Sequence, residues 1–271
     1  MAADPHVLLA GCGNMGVALL RGWLNRGIPA GSIRVVEPGA AQAERAAALG
    51  VQVAPDEAAL AGDRAPDVIV LAVKPQVMDE AASVYARHAG QSIFLSIAAG
   101  RTIASFERLF GANAAIVRAM PNTPGAIGRG ITVACPNGRV SDAGRALCDR
   151  LLQAIGETAW LEQEAQMDAV TAVSGSGPAY IFLLAEAMRD AGIAAGLPGD
   201  LADRLARHTV AGAGALILES GEDPARLREQ VTSPGGTTAA ALAVLRASGG
   251  MPDLLRAAVD AAARRSRELA G

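Results

Sequence analysis

The first 160 residues alternate short apolar runs with longer stretches of helical periodicity. The apolar runs are residues 7–10, 33–37, 51–53, 67–73, 93–97 and 115–118. Helical stretches at residues 17–24 and 40–49 lie between the first and second runs and between the second and third. Strands buried on both faces of a parallel sheet have such continuous apolar runs, and their alternation with helices is typical of a doubly wound sheet. We therefore predict an N-terminal α/β domain over residues 1–160.

From about residue 161 onward only helical periodicity remains. The predicted helices cover residues 179–195, 201–218, 225–230, 238–246 and 252–269, several with Pro near the first turn and Gly near the end. This pattern predicts a C-terminal all-α domain over residues 161–271. Residues 210–218 are apolar on nearly every helical face, and a domain of about 110 residues rarely buries such a helix alone. We expect a partner subunit to cover it, so this would be a dimerisation domain.

The first apolar run leads directly into a glycine motif, Gly-x-Gly-x-x-Gly. The motif consists of Gly11, Cys12, Gly13, Asn14, Met15 and Gly16, and a helical stretch follows it. In a Rossmann-type domain the three glycines allow the tight turn, the approach of the backbone to a pyrophosphate, and close helix packing. Glu37, at the end of the second run, suits the hydroxyls of a ribose. We predict a dinucleotide site here, although an ordinary glycine-rich turn is the alternative.

Three further loops follow predicted strands of the same sheet. The residues that we expect to bind the cofactor there are Ala72, Val73, Lys74, Pro75, Ala98, Ala99, Gly100 and Asn122. In open α/β sheets the ligands lie at the carboxyl ends of the strands, where these loops begin. The small residues at 98–100 would let a flat ring lie against the backbone, and Asn122 offers hydrogen-bonding groups. Each loop alone would be interpreted as an ordinary turn.

Two motifs in the all-α half place glycines and hydroxyls immediately before a predicted helix. They are residues 174–178, Ser-Gly-Ser-Gly-Pro, and residues 233–238, Ser-Pro-Gly-Gly-Thr-Thr. The backbone N–H groups, the hydroxyls and the helix dipole could bind an anion such as a carboxylate, and ordinary helix capping explains the motifs equally well. Ser176 does not stand in a Gly-x-Ser-x-Gly motif and has no nearby His, so we do not expect it to be a nucleophile.

Composition excludes several other classes of protein. The chain is 51% hydrophobic and 19% charged with a net charge of -3, which predicts a globular protein without affinity for nucleic acid or an anionic membrane. No apolar run reaches the roughly 18 residues of a membrane span, and the N-terminus lacks a basic signal region. Cys12, Cys135 and Cys148 lack metal-ligand spacing. We therefore expect a cytoplasmic protein without a metal site.

On these motifs the chain resembles the pyrroline-5-carboxylate reductase family, whose members make proline. The resemblance runs through residues 11–16, 72–76, 120–124 and 233–238, and residues 174–180 add a motif more specific than the glycine motif. It implies a Rossmann-type domain, a helical domain that interlocks two subunits, and homodimers capable of further assembly. It also implies hydride transfer from NADPH or NADH to 1-pyrroline-5-carboxylate, giving L-proline.

The resemblance also assigns roles to residues. It implies that Thr237 and Thr238, with the backbone of Gly235 and Gly236, hold the substrate carboxylate. Ser233 and Ser176 complete the expected substrate-binding set. Thr238 and Glu164 are the expected catalytic residues, because Glu164 matches a family position near both the substrate and the nicotinamide.

The sequence leaves two alternatives: a reductase of another small imino or keto acid, which is the same class of protein, and a dinucleotide-binding protein without turnover, which is a different class. A β-hydroxyacid dehydrogenase would need a catalytic lysine in the second domain, but Lys74 is the only lysine of the chain. A dinucleotide-binding protein without turnover is distinguished from a reductase by one test. When the cyclic imine 1-pyrroline-5-carboxylate is added, a reductase lowers the absorbance of the reduced cofactor and a binding protein does not. Because the Glu37 carboxylate would repel a 2'-phosphate of like charge, we expect NADH to be used at least as well as NADPH. A side chain at the start of the next helix, Gln42 or Arg45, could offset this repulsion by turning toward the phosphate.

Overall fold

The structure is a computed structural model that describes residues 4–59 and 64–270. It contains two compact units, which we call the sheet unit and the helical unit. The sheet unit comprises the chain up to residue 175 together with residues from 263 onward, and the helical unit comprises residues 176–262. The boundary that the sequence places between residues 160 and 161 stays a prediction.

The sheet unit is built on one sheet of eight strands within the described residues. The strands are β1 (Val7–Ala10), β2 (Ile33–Val36), β3 (Gln52–Ala54), β4 (Val68–Leu71), β5 (Ile93–Ser96), β6 (Ala115–Met120), β7 (Gly130–Pro136) and β8 (Gly156–Trp160). Their order is β3-β2-β1-β4-β5-β6-β7-β8. Strands β1 to β6 are parallel, β7 is antiparallel to β6, and β8 is parallel to β7.

Strands β1 to β6 correspond to the six predicted runs, whereas β7 and β8 are additions to the prediction. Strand β8 lies at the edge of the sheet, and its side chains alternate between half-buried and exposed. It therefore has no continuous apolar run of the kind by which strands β1 to β6 are predicted. Glu37 lies one residue beyond β2, at the carboxyl edge of the sheet.

Helices cover both faces of the sheet. They are α1 (Asn14–Asn25), α2 (Ala40–Ala47), α3 (Met78–Ser83), α4 (Ile103–Phe110), α5 (Asp142–Leu152) and α6 (Met167–Val170), followed by a π-helical turn at Thr171–Gly175. On one face α1 and α5 pack together, and the indole nitrogen of Trp23 donates to the carbonyl of Leu151 at 2.9 Å. On the other face the rings of Phe94 and Phe110 stack with centroids 3.9 Å apart. This confirms the predicted doubly wound α/β architecture.

The helical unit consists of helices within the residues described, as predicted. They are α7 (Gly177–Ala194), α8 (Gly199–Ser220), α9 (Pro224–Gln230), α10 (Thr237–Leu245) and the first part of α11 (Met251–Ala270). The last residues of α11 belong to the sheet unit, where Ser266 is buried and its hydroxyl donates to the Asp168 carboxylate at 2.6 Å. None of the described helices has both the length and the apolar character that crossing a membrane requires.

The helical unit leaves many large apolar side chains exposed in the single chain. Phe182 and Leu183 of α7, Leu218 of α8 and Val244 of α10 are all more than 60% exposed. The buried side chains of α8, by contrast, are the small residues Ala202 and Ala206. A unit with this surface does not form its own core, which agrees with the partner subunit expected from residues 210–218.

Candidate active site

The loop after β1 has the three distinct glycine environments that a phosphate-binding loop requires. Gly11 has φ +90, and an added Cβ would lie 2.9 Å from the carbonyl carbon of Ala72. An added Cβ at Gly16 would lie 2.6 Å from the carbonyl oxygen of Gly11. At Gly13, by contrast, no atom would lie within 4 Å. The structure thus leaves open space at the one glycine whose backbone should approach a phosphate.

The N-terminus of α1 adds free hydrogen-bond donors to this loop. Gly13 is the N-cap residue, and no side chain of the described residues caps the helix there. The first backbone N–H groups, from Asn14 and Met15 onward, are therefore available together with the positive end of the helix dipole. Both features favour an anion without any basic side chain.

Cys12 contributes its backbone to the loop, while its side chain lies in the core. The residue is fully buried. Burial in the first place, and the nearby Glu37 charge in the second, raise the pKa of the thiol to about 11, with Arg45 acting in the opposite direction. The thiol is therefore neutral at physiological pH.

Glu37 connects the end of β2 to the glycine loop. Its Oε2 accepts a hydrogen bond from the backbone N–H of Cys12 at 2.6 Å, and its Oε1 accepts one from the N–H of Gly39 at 2.8 Å. These two bonds fix the carboxylate beside the loop. A carboxylate has about four acceptor positions, so about two remain for the hydroxyls of a ribose.

The loops after β4 and β5 begin side by side with the glycine loop. The N–H of Ala72 donates to the carbonyl of Ala10 at 2.8 Å, and the N–H of Ile97 donates to that of Leu71 at 3.1 Å. The predicted residues differ in accessibility: Lys74 and Ala99 are exposed, Ala72, Val73 and Pro75 are half-buried, and Ala98 and Gly100 are buried. Of the small residues at 98–100, Ala99 is therefore the one whose side chain faces open space.

An open cleft of about 670 Å³ lies beside the glycine loop. Gly11, Val36, Pro38, Val73 and Val77 are among the residues that line it. A largely apolar cleft next to a phosphate-binding loop suits the flat base of a dinucleotide, so the residues present fit NADPH or NADH. Pro38 and Val77 are absent from the sequence prediction. They could have been predicted from their neighbours, since Pro38 follows Glu37 directly and Val77 lies two residues after Pro75.

Asn122 joins two motifs that lie far apart in the sequence. Its Oδ1 accepts from the backbone N–H of Ile131 at 3.0 Å, and its Nδ2 donates to the hydroxyl of Ser174 at 3.3 Å. The amide thereby holds the loop after β6 against the start of the Ser-Gly-Ser-Gly-Pro motif. Its predicted contact with the cofactor stays a prediction.

Glu164 lies in a short 3₁₀ turn, Glu164–Gln166, and its half-buried carboxylate pairs with a buried arginine. Its Oε1 accepts from Nη1 of Arg118 and from the backbone N–H of Ile103, both at 2.8 Å. The Arg118 side chain is only 6% exposed. Burial, and secondarily the Glu164 charge, raise the pKa of the neighbouring Cys135 thiol. Arg118 is missing from the sequence prediction, and a charge inside an otherwise apolar strand is the signal for it.

In the helical unit, neither predicted anion-binding motif uses its hydroxyls to cap its own helix. Ser176 stands before α7 and Gly236 before α10, and no side chain caps either helix among the described residues. Within the second motif the N–H of Gly236 donates to the carbonyl of Ser233 at 3.0 Å. With Pro234 second and Gly235 third at φ +71, this has the features of a type II turn.

The turn and the start of α10 bring five predicted substrate-binding residues together. Ser233, Gly235 and Thr237 are exposed, and Gly236 and Thr238 are half-buried. Donor N–H groups at the helix start and the two threonine hydroxyls thus occur in one short segment, as binding a carboxylate would require.

Comparison with known proteins identifies the family. A relative from Pseudomonas aeruginosa named pyrroline-5-carboxylate reductase is 43% identical over 270 residues, which is 99% of this chain and 98% of the relative. The chain belongs to the pyrroline-5-carboxylate reductase family. A family model described as pyrroline-5-carboxylate reductase dimerisation matches residues 164–269, and one described as NADP oxidoreductase, coenzyme F420-dependent, matches residues 7–100.

Solved structures of the family agree. A pyrroline-5-carboxylate reductase from Coxiella burnetii has a TM-score of 0.92 and 33% identity, covering 99% of this chain and 100% of that one. A Plasmodium falciparum pyrroline carboxylate reductase with NADP bound has a TM-score of 0.84 and 28% identity, covering 99% of each chain. Family membership confirms the predicted fold and the predicted class of enzyme, an NAD(P)H-dependent oxidoreductase. The roles of individual site residues stay predictions.

Proposed function

We propose that this chain reduces 1-pyrroline-5-carboxylate to L-proline with NADPH or NADH. The observation that carries the proposal is the 43% identity to a named pyrroline-5-carboxylate reductase over 99% of the chain. The open glycine loop and the uncapped start of α10 support it, because the reaction needs one site for a pyrophosphate and one for a carboxylate.

The sheet unit would hold the cofactor, which supplies a hydride when bound. The N–H groups of the glycine loop and of the start of α1 would bind the pyrophosphate. Glu37 would accept from the ribose hydroxyls, and the cleft beside Pro38 and Val77 would take the base. The backbone at residues 72–75 and 98–100 and the Asn122 side chain form the remaining part of the proposed cofactor site.

The helical unit would hold the substrate through its carboxylate. The backbone N–H of Gly235, the uncapped N–H groups at the start of α10 and the hydroxyls of Thr237 and Thr238 are the proposed donors, since the N–H of Gly236 is already bonded to the carbonyl of Ser233. Ser233 and Ser176 are the further residues that we propose for the substrate site. A cyclic imine is basic enough to arrive protonated, so no strong acid is needed and positioning provides most of the catalysis. Glu164 is the charged residue that we place near the reacting groups.

We further propose that the enzyme acts as a homodimer in the cytoplasm. The exposed apolar side chains of α7, α8 and α10 are the surface that a second subunit would bury. All three cysteines are buried free thiols, which suits a reducing compartment. Lys74 is the chain's one lysine and lies in the glycine-loop half, so a reaction that depends on a lysine in the second half is not favoured.

The test follows cofactor oxidation by the purified chain. NADPH or NADH is mixed with 1-pyrroline-5-carboxylate, the loss of reduced-cofactor absorbance is recorded, and L-proline is measured as the product. A small β-hydroxy acid with the oxidised cofactor serves as the comparison substrate. We expect NADPH or NADH to be oxidised when the imine is present, and we expect no reduction of the oxidised cofactor by the β-hydroxy acid. A chain that binds the cofactor but oxidises neither NADPH nor NADH in the presence of the imine would contradict the proposal.

A further inference from the structure

Arg118 is a buried cation at the carboxyl end of the parallel sheet. It lies in β6, opposite Ser96 of β5 and Cys135 of β7 in the strand register. The residue is 5% exposed, and its guanidinium donates to the Glu164 carboxylate. Burying a charge is costly unless it is paired, so a long cation at this position needs a reason beyond filling the core.

Glu164 links Arg118 to the loop between β5 and α4 by hydrogen bonds. The oxygen that accepts from Arg118 also accepts from the N–H of Ile103, the first residue of α4. At the other end of this loop, the hydroxyl of Ser96 accepts from the N–H of Ala98 at 3.3 Å. Residues 98–102 are thus held at both ends, and they include the exposed Ala99 that we place against the cofactor.

The ion pair also sets the charge of this region. In the proposed reaction the bound cofactor would supply a hydride to the iminium carbon, the C=N electron pair would stay on nitrogen, and one positive charge would thereby pass from the substrate to the nicotinamide ring. A carboxylate favours the positive charge at both ends, and an uncompensated guanidinium disfavours it. The carboxylate of Glu164 should therefore lie nearer to the reacting groups than the guanidinium of Arg118. Arg118 is indeed the more deeply buried of the two side chains.

We propose that Arg118 is a positioning residue for hydride transfer, acting through Glu164. It holds the carboxylate at the end of the loop at residues 98–102 and balances that charge from the buried side. This inference rests on the proposed function and on the place that it gives to Glu164. It predicts that the effects of changing the two residues are not independent.

The experiment is a double-mutant cycle with Arg118→Met, Glu164→Gln and the double variant. For each protein the kcat, the KM of both substrates and the unfolding temperature are measured. We expect each single variant to lower kcat by about tenfold and the double variant to be within about twofold of the poorer single variant. The double variant should also unfold at a temperature equal to or somewhat above that of Arg118→Met, since it leaves no unpaired half-buried carboxylate.

Two outcomes would overturn the proposal. In one, Arg118→Met lowers the unfolding temperature but leaves kcat and both KM values unchanged, which would make the ion pair purely structural. In the other, the losses in kcat multiply in the double variant, so that Arg118 acts without Glu164. If Arg118→Met does not fold, Arg118→Lys completes the same cycle, because lysine keeps the charge but lacks the planar guanidinium.

Arg145→Met is the matched control. Arg145 pairs with Glu162 at 3.4 Å and lies over the Trp160 ring, so this variant removes an Arg–Glu pair two residues from Glu164 without touching it. We expect wild-type kcat from it. The wild-type chain is assayed first: lack of turnover there would contradict the proposed function, whereas a wild-type enzyme with additive variants would contradict only the role of Arg118.

Discussion

The Glu37 carboxylate accepts a hydrogen bond from the backbone N–H of Cys12 at 2.6 Å, across 25 residues of sequence. A second bond, from the N–H of Gly39, prevents the carboxylate from turning away from the glycine loop. The negative charge is therefore held beside the glycine loop, where we propose that the ribose of the cofactor lies. Arg45, the cation that could offset it, is exposed and donates to the carbonyl of Ala41 in its own helix.

The first prediction is that the enzyme uses NADH at least as well as NADPH. Two like charges about 4 Å apart repel by about 1 kcal/mol in water and by about 4 kcal/mol in a partly desolvated site. Glu37→Ser removes this repulsion and should shift the preference toward NADPH by about tenfold or more. The measurement is the ratio of kcat/KM for the two cofactors in both proteins. A wild-type ratio strongly in favour of NADPH would show that Glu37 does not face the ribose.

The second prediction separates the glycines of the loop. Gly13→Ala should leave the free energy of unfolding within about 0.5 kcal/mol of wild type, because the new methyl group meets no protein atom. It should weaken cofactor binding by about tenfold or more, because the methyl group would occupy the space that we propose for the phosphate. Gly16→Ala should instead destabilise the fold by about 1–3 kcal/mol, through the contact with the Gly11 carbonyl.

Denaturant unfolding and calorimetric titration of the cofactor measure these two effects. Only Gly13→Ala should change binding without changing stability; Gly16→Ala should lower stability through its contact with the Gly11 carbonyl and shows what a strained loop looks like in both measurements. A Gly13→Ala protein that binds NADH as tightly as wild type would place the pyrophosphate elsewhere.

The third prediction concerns Thr238 at the start of α10. Thr238→Ala would remove the proposed hydrogen bond to the substrate carboxylate, worth about 1.5–3 kcal/mol, and should lower kcat/KM for the imine by roughly 10-fold to 150-fold. The affinity for the cofactor should stay the same. Thr238→Ser keeps a hydroxyl and is the matched control, for which we expect most of the wild-type efficiency. Unchanged kinetics in Thr238→Ala would mean that another segment binds the carboxylate.

The fourth prediction follows from the buried thiols. Burial raises the pKa of Cys12 to about 11 and that of Cys148 to about 12, from an ordinary value of 9.0. Below pH 9 the thiols are protonated in both states; above it they ionise first in the unfolded chain, so stability should fall as the pH rises toward 12. Denaturant midpoints between pH 8 and about 11 measure how steeply the stability falls with pH, and Cys12→Ala should make this fall less steep.

The buried thiols should also be protected from reagents. At pH 8 a thiol reagent should modify the native protein slowly and the denatured chain fully.

The fifth prediction concerns assembly. Because the large apolar side chains of the helical unit are exposed in one chain, the folded protein should be an obligate homodimer. Light scattering should give at least twice the mass of one chain, and the unfolding temperature should rise with protein concentration. An active, stable monomer at micromolar concentration would be incompatible with this.

Local patterns predicted most of the fold, and long-range contacts explain what they did not predict. Strands β1 to β6, the glycine loop and the helices of the second half all have signals within a few adjacent residues. Strand β8 has none, because its burial is set by its place at the sheet edge. The pair of Arg118 and Glu164 joins residues 46 apart, and that of Asn122 and Ser174 joins residues 52 apart. Such partners are chosen by the folded sheet, so no short motif reports them.

The path of α11 makes the helical unit an insertion within the sheet unit. The chain leaves the sheet unit after residue 175 and rejoins it at residue 263, where Ser266 bonds to Asp168. The helical unit is therefore covalently attached at both of its ends. A single proteolytic cut between residues 176 and 262 would nick the protein without detaching a separate domain, and a truncation from the C-terminus would remove part of the sheet unit first.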